Sequence, residues 1–277
     1  MKRLSIIIGL LFLFNLVLKG LFLNHAPNSL SFQEIEILRS IGITPSINDF
    51  SFRMINVFIG SCIDIILFYF IFKKTKNLLL SLSVGLSVGL SPWFIVLSRY
   101  LNFYLIPILF MVILLNFLPE KIYSILITIS LLIVFRFLFI SHDFLTIKFS
   151  LIIPDFIRLF DLRILFFQGD TVSPMLKIPL TGFFFYLDLL AFISGINYLF
   201  LINKNEELKM TMNHILLLGL MSFLILPADK FAEMLMTVRG ELVFLWVSII
   251  IGLGYYYLFN ILKKKNILLV YFSIFLL

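Results

Sequence analysis

Glu34 stands in the run Ser31-Phe32-Gln33-Glu34-Ile35-Glu36-Ile37-Leu38-Arg39, with Ser31 three positions ahead of it. Two chemistries fit that spacing. A Ser followed three residues later by Glu is a capping box, in which each side chain satisfies a backbone N–H at a helix start. A carboxylate at a membrane surface is also a candidate general base, able to take a proton from an attacking hydroxyl. Three further charges, Asp64, Arg136 and Asp188, fall inside long apolar runs. Ionisable groups at bilayer depth are costly and tend to face a cavity or a partner, so Asp64 above all raises the question of a proton or ion relay. Arg136 and Asp188 lie closer to run ends, where a side chain can snorkel to the interface. His25, His142 and His214 are far apart and lack carboxylates at ligand spacing, and Cys62 is the single cysteine. No metal site is therefore evident, and an intrachain disulfide is excluded. Gly85 and Gly89, four apart in an apolar run, read as a face for close helix packing and not as a phosphate cradle.

These residues sit in a chain built for hydrocarbon. Of 277 residues, 61% are hydrophobic and 13% charged, with 34 phenylalanines, and the mean hydropathy is +1.11. A soluble domain has roughly twice that share of charge. Runs such as Leu78–Leu97 do not alternate, which disfavours a barrel, and in lipid the backbone must satisfy itself, which demands helices. Apolar runs of about the length needed to span occupy 5–23, 54–72, 78–97, 103–118, 122–140, 179–202, 212–226 and 242–262, with a shorter run at 267–277. The expectation is an all-α, polytopic transmembrane protein of about eight to nine membrane helices, forming one domain over 1–277, with a retained first helix. The abrupt apolar ending at Phe275-Leu276-Leu277 leaves room for a C-terminally incomplete chain. The net charge of +7 sits in short clusters between runs, which argues for membrane topology and against nucleic acid. Lysines follow the second run at 73–76, the sixth within 203–209 and the eighth at 263–265. With Lys2-Arg3, they place the N-terminus in the cytoplasm of a multi-pass cell-membrane protein. Segments 24–53, 141–178 and 227–241 then face outward. Residues 153–164, where Asp155, Arg158, Asp161 and Arg163 interleave with apolar side chains, suit an interfacial helix.

Three stretches in order resemble one family. Residues 86–102 read Leu-Ser-Val-Gly-Leu-Ser-Pro-Trp-Phe-Ile-Val-Leu-Ser-Arg-Tyr-Leu-Asn, in which Ser91-Pro92-Trp93 and Ser98-Arg99 carry the likeness. Residues 165–170 read Leu-Phe-Phe-Gln-Gly-Asp, and Pro227 is followed by Arg239. Together they resemble the family-39-like glycosyltransferases of the GT-C membrane class, relatives of protein O-mannosyltransferases and lipid A aminoarabinose transferases. Three departures stand out. Phe94 replaces the usual His, the stretch between Arg99 and Leu165 is short for the family, and Gln33-Glu34 replaces the family's Asp-Glu pair.

The resemblance implies a GT-C-like helical fold and inverting transfer of a sugar from a polyprenyl-phosphate carrier on the outer face. It implies Glu34 as the catalytic carboxylate and substrate binding by Arg53, Arg99, Asp170, Lys230 and Arg239. A leaving lipid phosphate carries negative charge, which guanidinium and ammonium groups stabilise. The same cations could equally anchor helix ends at lipid headgroups. No cofactor is specified. Two other readings stay open: a non-catalytic relative that binds polyprenyl lipid or a partner, and a small transporter resting on Asp64 and Arg136.

Overall fold

The computed structural model describes residues 2–21, 39, 53–99, 105–117, 160–168, 182–202, 206–225 and 241–265. Every regular element among them is helical: α1 (Lys2–Gly20), α2 (Arg53–Thr75), α3 (Leu78–Leu90), α4 (Pro92–Arg99), α5 (Leu105–Phe117), α6 (Asp188–Asn197), α7 (Glu206–Ile225) and α8 (Glu241–Lys265). Wide π-type turns occupy Ile164–Gln168 and extend α6 over Tyr198–Ile202. Among the described residues two helices, α2 and α8, are long and apolar enough to cross a bilayer, or three spans if α3 and α4 form one bent crossing. The expected span at 122–140 and the shorter run at 267–277 lie outside the described residues.

Buried charges and exposed apolar side chains surround an apolar core. Ile6, Leu10 and Leu190 are more than 60% exposed, whereas Lys19, Arg53 and Asp64 are fully buried. In water unpaired buried charges and broad exposed apolar faces are rare; apolar flanks with charges turned inward suit a lipid surround.

Two helix boundaries differ from the sequence expectation in instructive ways. The run 78–97 is not one helix. It breaks at Ser91, whose extended backbone accommodates Pro92, and α4 leaves α3 at 57°. Proline lacks an N–H and pushes its predecessor out of helical geometry. Ser91 Oγ donates to Val88 O at 2.7 Å and the Ser91 carbonyl accepts from Phe94 and Ile95, so the broken ends stay satisfied. The run 179–202 becomes regular helix only at Asp188. Asp188 Oδ2 accepts the Phe185 N–H at 2.8 Å, and Gly182 lies against the backbone of Leu165 and Phe166, with no space for a Cβ. A third boundary moves the other way: α7 starts at Glu206, ahead of the expected 212, with Glu206 bridged to Lys209 at 3.2 Å. Acidic residues favour the positive end of a helix.

α8 is the hub. It packs most extensively on α6 and then on α3, and its residues 242–254 are all buried. Against α6 the approach is backbone to backbone: a Cβ on Gly254 would meet Ala191 O, and one on Gly195 would meet Ile250 O. Without a hydrophobic drive between helices in lipid, such small-residue contacts supply the association. Against α3, Ser87 Oγ donates to Ser248 O at 2.7 Å and Asn77 Nδ2 to Tyr256 OH at 2.6 Å. Asn77 also caps α3 by accepting from Leu80 N. The turn before it is closed by Lys76 in left-handed geometry, its N–H on Phe72 O, a helix-ending arrangement more often made with glycine.

The glycine contacts give a testable contrast. Gly254→Ala should lower stability by about 1–3 kcal/mol, the usual range for overpacking. Gly9→Ala, which would meet nothing within 4 Å, should be neutral or raise stability by up to about 1 kcal/mol. Thermal unfolding of both variants in one detergent measures the difference; equal midpoints would refute the close α6–α8 contact.

Candidate functional site

The charges that the fold turns inward gather where α1, α2 and the α3–α4 bend meet. On α1, Leu11, Asn15 and Lys19 recur every four residues and are all buried, so they form one face of the helix. On α2, Arg53, Val57, Gly60 and Asp64 form the facing stripe. Asp64 lies eleven residues from either end of α2, midway along a helix long enough to cross a bilayer. Its Oδ2 forms an ion pair with Lys19 Nζ, both side chains fully buried. The Lys19 ammonium also lies 4.2 Å from the centre of the Phe94 ring, where an aromatic face attracts a cation. Phe94, standing where the resembled family has His, thus forms one wall around Lys19.

Two glycines make space for this cluster. A Cβ on Gly89 would meet Asn15 Oδ1 and come within 3.0 Å of Asp64 Oδ2, and one on Gly60 would meet Ser98 Oγ and lie 3.6 Å from Lys19 Nζ. Gly85 has the plainer packing role read from sequence, against Phe68 and Leu11. Both amide atoms of Asn15 and Asp64 Oδ1 have no hydrogen-bond partner among the described residues, so the cluster keeps polar capacity beyond the ion pair.

Arg99 joins the same corner. Its Nε donates to Lys19 O and its Nη2 to Leu18 O, both at 3.2 Å. The last carbonyls of a helix have no intrahelical donor and carry the negative end of its dipole, so a guanidinium there is well placed. A Cβ on Gly20 would lie 3.9 Å from the side chains of Met54 and Val57, which brings the first turn of α2, and Arg53 with it, beside the end of α1. Of the six residues expected at a site, Arg53 and Arg99 therefore reach one end of the bundle. Glu34, Asp170, Lys230 and Arg239 lie outside the described residues, as does Arg136. Asp64 stands out in the sequence as a charge within an apolar run, whereas Lys19 and Asn15 do not. The available signal was one unpaired Lys and one unpaired Asp in consecutive apolar runs.

A second junction connects two of the family-like stretches. The Trp93 N–H donates to Phe183 O at 3.2 Å, and the Phe184 N–H to Leu165 O at 2.9 Å. The Phe166 ring packs in tilted contact with Phe184 and Phe192 at centroid distances of 5.6 and 5.9 Å, and Trp93 Nε1 donates to Ser248 Oγ at 3.0 Å. Ser91-Pro92-Trp93 and Leu165-Phe166-Phe167 thus border the same short segment, 182–184. Asp188, expected within a span, instead starts α6 and accepts from Tyr255 OH at 2.6 Å, a tie to α8. Just before Leu165, the exposed Arg163 guanidinium holds the Asp161 carboxyl below its ordinary range by direct hydrogen bonding. Residues 153–159 of the expected interfacial helix lie outside the described residues.

The buried pair makes a stability prediction with a definite sign. Asp64→Leu alone strands a buried ammonium and should cost about 3–5 kcal/mol. Lys19→Met combined with Asp64→Leu removes both charges and should recover most of that loss, since apolar replacement of a whole buried pair is often neutral. Unfolding midpoints of the single and double variants decide it; a double variant no more stable than the single would refute the pairing. Comparison of the chain with family models, with curated proteins and with solved structures gives no match.

Proposed function

We propose that the chain is a multi-pass, GT-C-like membrane glycosyltransferase that takes a sugar from a polyprenyl-phosphate carrier at the outer face. The observation that carries this reading is the convergence of separate family-like stretches: Ser91-Pro92-Trp93 and Leu165-Phe166-Phe167 border one segment through the Trp93–Phe183 and Leu165–Phe184 hydrogen bonds. Short motifs matched by chance have no reason to meet in space. A further support is the shared position of Arg53 and Arg99 beside the end of α1.

The orientation follows from charge. Asn77 bonds Tyr256, so the lysines at 73–76 and Lys263 gather at one end of the bundle, and α1 begins at that end because it runs antiparallel to α2. Basic clusters favour the cytoplasm, which leaves Arg53 and Arg99 toward the outside. In the proposed reaction Glu34 takes the proton of an acceptor hydroxyl, whose oxygen attacks the anomeric carbon. The bond from that carbon to the phosphate oxygen breaks, and its electron pair leaves with the lipid phosphate. Arg53 and Arg99 stabilise the phosphate as its charge grows, helped by Lys230 and Arg239 in a later outer segment. Asp170 contributes to substrate binding. The transporter reading rests on Asp64, which pairs with Lys19, and on Arg136, which lies outside the described residues.

Two measurements test the proposal. With purified protein and a polyprenyl-phosphate sugar, Glu34→Gln should lower transfer by about 100- to 10,000-fold, the usual worth of a general base. Gln33→Asp, which restores the family's acidic pair, should preserve or raise it. Transfer that survives Glu34→Gln would remove Glu34 from the mechanism, and absence of transfer by both wild type and Gln33→Asp across several donors would favour a lipid-binding relative without catalysis. For orientation, single cysteines at Ser46 or Ser173 in a Cys62→Ser background should react with an impermeant thiol reagent in intact cells. Labelling only after lysis would reverse the topology.

A further inference from the structure

Lys19 is bound at both its ends. Its ammonium pairs with Asp64 on α2, and its backbone carbonyl accepts from Arg99 on α4. The carbonyl of Leu18 accepts the second guanidinium bond. One residue of α1 therefore connects the middle of α2 to the side chain at the end of α4. We infer that Asp64 is a positioning residue for Arg99: by fixing Lys19 it sets the register of the last turn of α1, and that turn sets where the guanidinium points. The inference rests on the proposed binding of a lipid phosphate at this end of the bundle.

Three features favour positioning over a general packing role. The site is cut to fit one ammonium: the Phe94 ring covers one side at 4.2 Å, and Gly60 leaves room where a Cβ would crowd Ser98 and Lys19. A lysine held this way cannot snorkel toward an interface, which its flexible stem would otherwise allow. The coupling is also directional. The bond from Lys19 to Asp64 draws the end of α1 against α2, where Gly20 meets Met54 and Val57, beside the turn that begins at Arg53. Loss of the tie frees the turn to which Arg99 is bound, without touching Arg99 itself.

A double-mutant cycle on ligand affinity tests this, using the full chain in lipid nanodiscs, farnesyl phosphate as probe and uncharged farnesol as comparator. Asp64→Asn should weaken farnesyl phosphate binding by about tenfold, within the usual coupling range for connected residues, and leave farnesol binding unchanged. Asp64→Glu, which keeps the charge, should restore most of the affinity. In an Arg99→Ala background the Asp64→Asn change should have no further effect. Lys19→Met with Asp64→Leu should show the same phosphate-specific loss, and it covers the case in which Asp64→Asn fails to fold. Wild-type affinity in a folded charge-deleted variant would overturn the inference, as would losses additive with Arg99→Ala. Failure of both charge-deleted forms to fold would also overturn it, by assigning the pair to the fold as a whole. If Arg99→Ala itself leaves farnesyl phosphate binding intact, the lipid-phosphate reading fails instead.

Discussion

A carboxylate midway along a helix of bilayer-spanning length has no water to turn to, and its free-energy cost must be met by a partner within the protein. For Asp64 that partner is Lys19, and the geometry around them follows from this need. Coulomb attraction is strong where the dielectric is low, but so is the cost of removing both ions from water. The balance is favourable only when geometry is good and nearby groups assist. Gly60 and Gly89 admit the charged atoms, the Phe94 ring lies along the ammonium, and Asn15 brings an amide one turn from Lys19. The pair fixes how the last turn of α1 sits against α2.

The other half of the bundle is held by different means. α8 approaches α6 through Gly195 and Gly254 and binds α3 through the Ser248 carbonyl, which accepts from the Ser87 hydroxyl, and the Tyr256 hydroxyl, which accepts from Asn77. Dense backbone contact and short side-chain hydrogen bonds suit a lipid surround, where burial of apolar surface against apolar surface gains little. Trp93 connects the two halves. It is bonded to Ser248 through its indole and to Phe183 through its backbone, at the point where Pro92 has bent the chain. The bend therefore directs Ser98 and Arg99 toward the end of α1 while Trp93 remains locked to the hub.

Much of this was legible in the sequence where hydropathy alone decides. The runs 54–72, 103–118 and 242–262 correspond to α2, α5 and α8 within a few residues, and the Gly85–Gly89 face packs as its spacing indicates. Hydropathy could not register the break at Pro92, because Ser91-Pro92-Trp93 is apolar enough to continue a run while its stereochemistry ends a helix. Nor could it place the start of α6, which is set by the Asp188 side chain and by a backbone contact at Gly182 that only the tertiary fold creates. Lys19 illustrates a different difficulty. A lysine near the end of an apolar run looks like an interfacial anchor, and only knowledge of which helix it faces reveals that it turns inward to Asp64. Glu34, the residue on which catalysis turns in the proposed function, lies outside the described residues, so its role rests on the sequence.

The most direct test of the buried pair is a solid-state NMR distance between Lys19 Nζ and Asp64 Cγ, measured with isotope labels in lipid bilayers. A strong dipolar coupling between the two, with the ammonium protons shielded from exchange with bulk water, is the predicted result. An uncoupled Lys19 signal whose protons exchange freely with water would mean that the side chain reaches the interface, and would contradict the pairing on which the arrangement of α1, α2 and α4 depends.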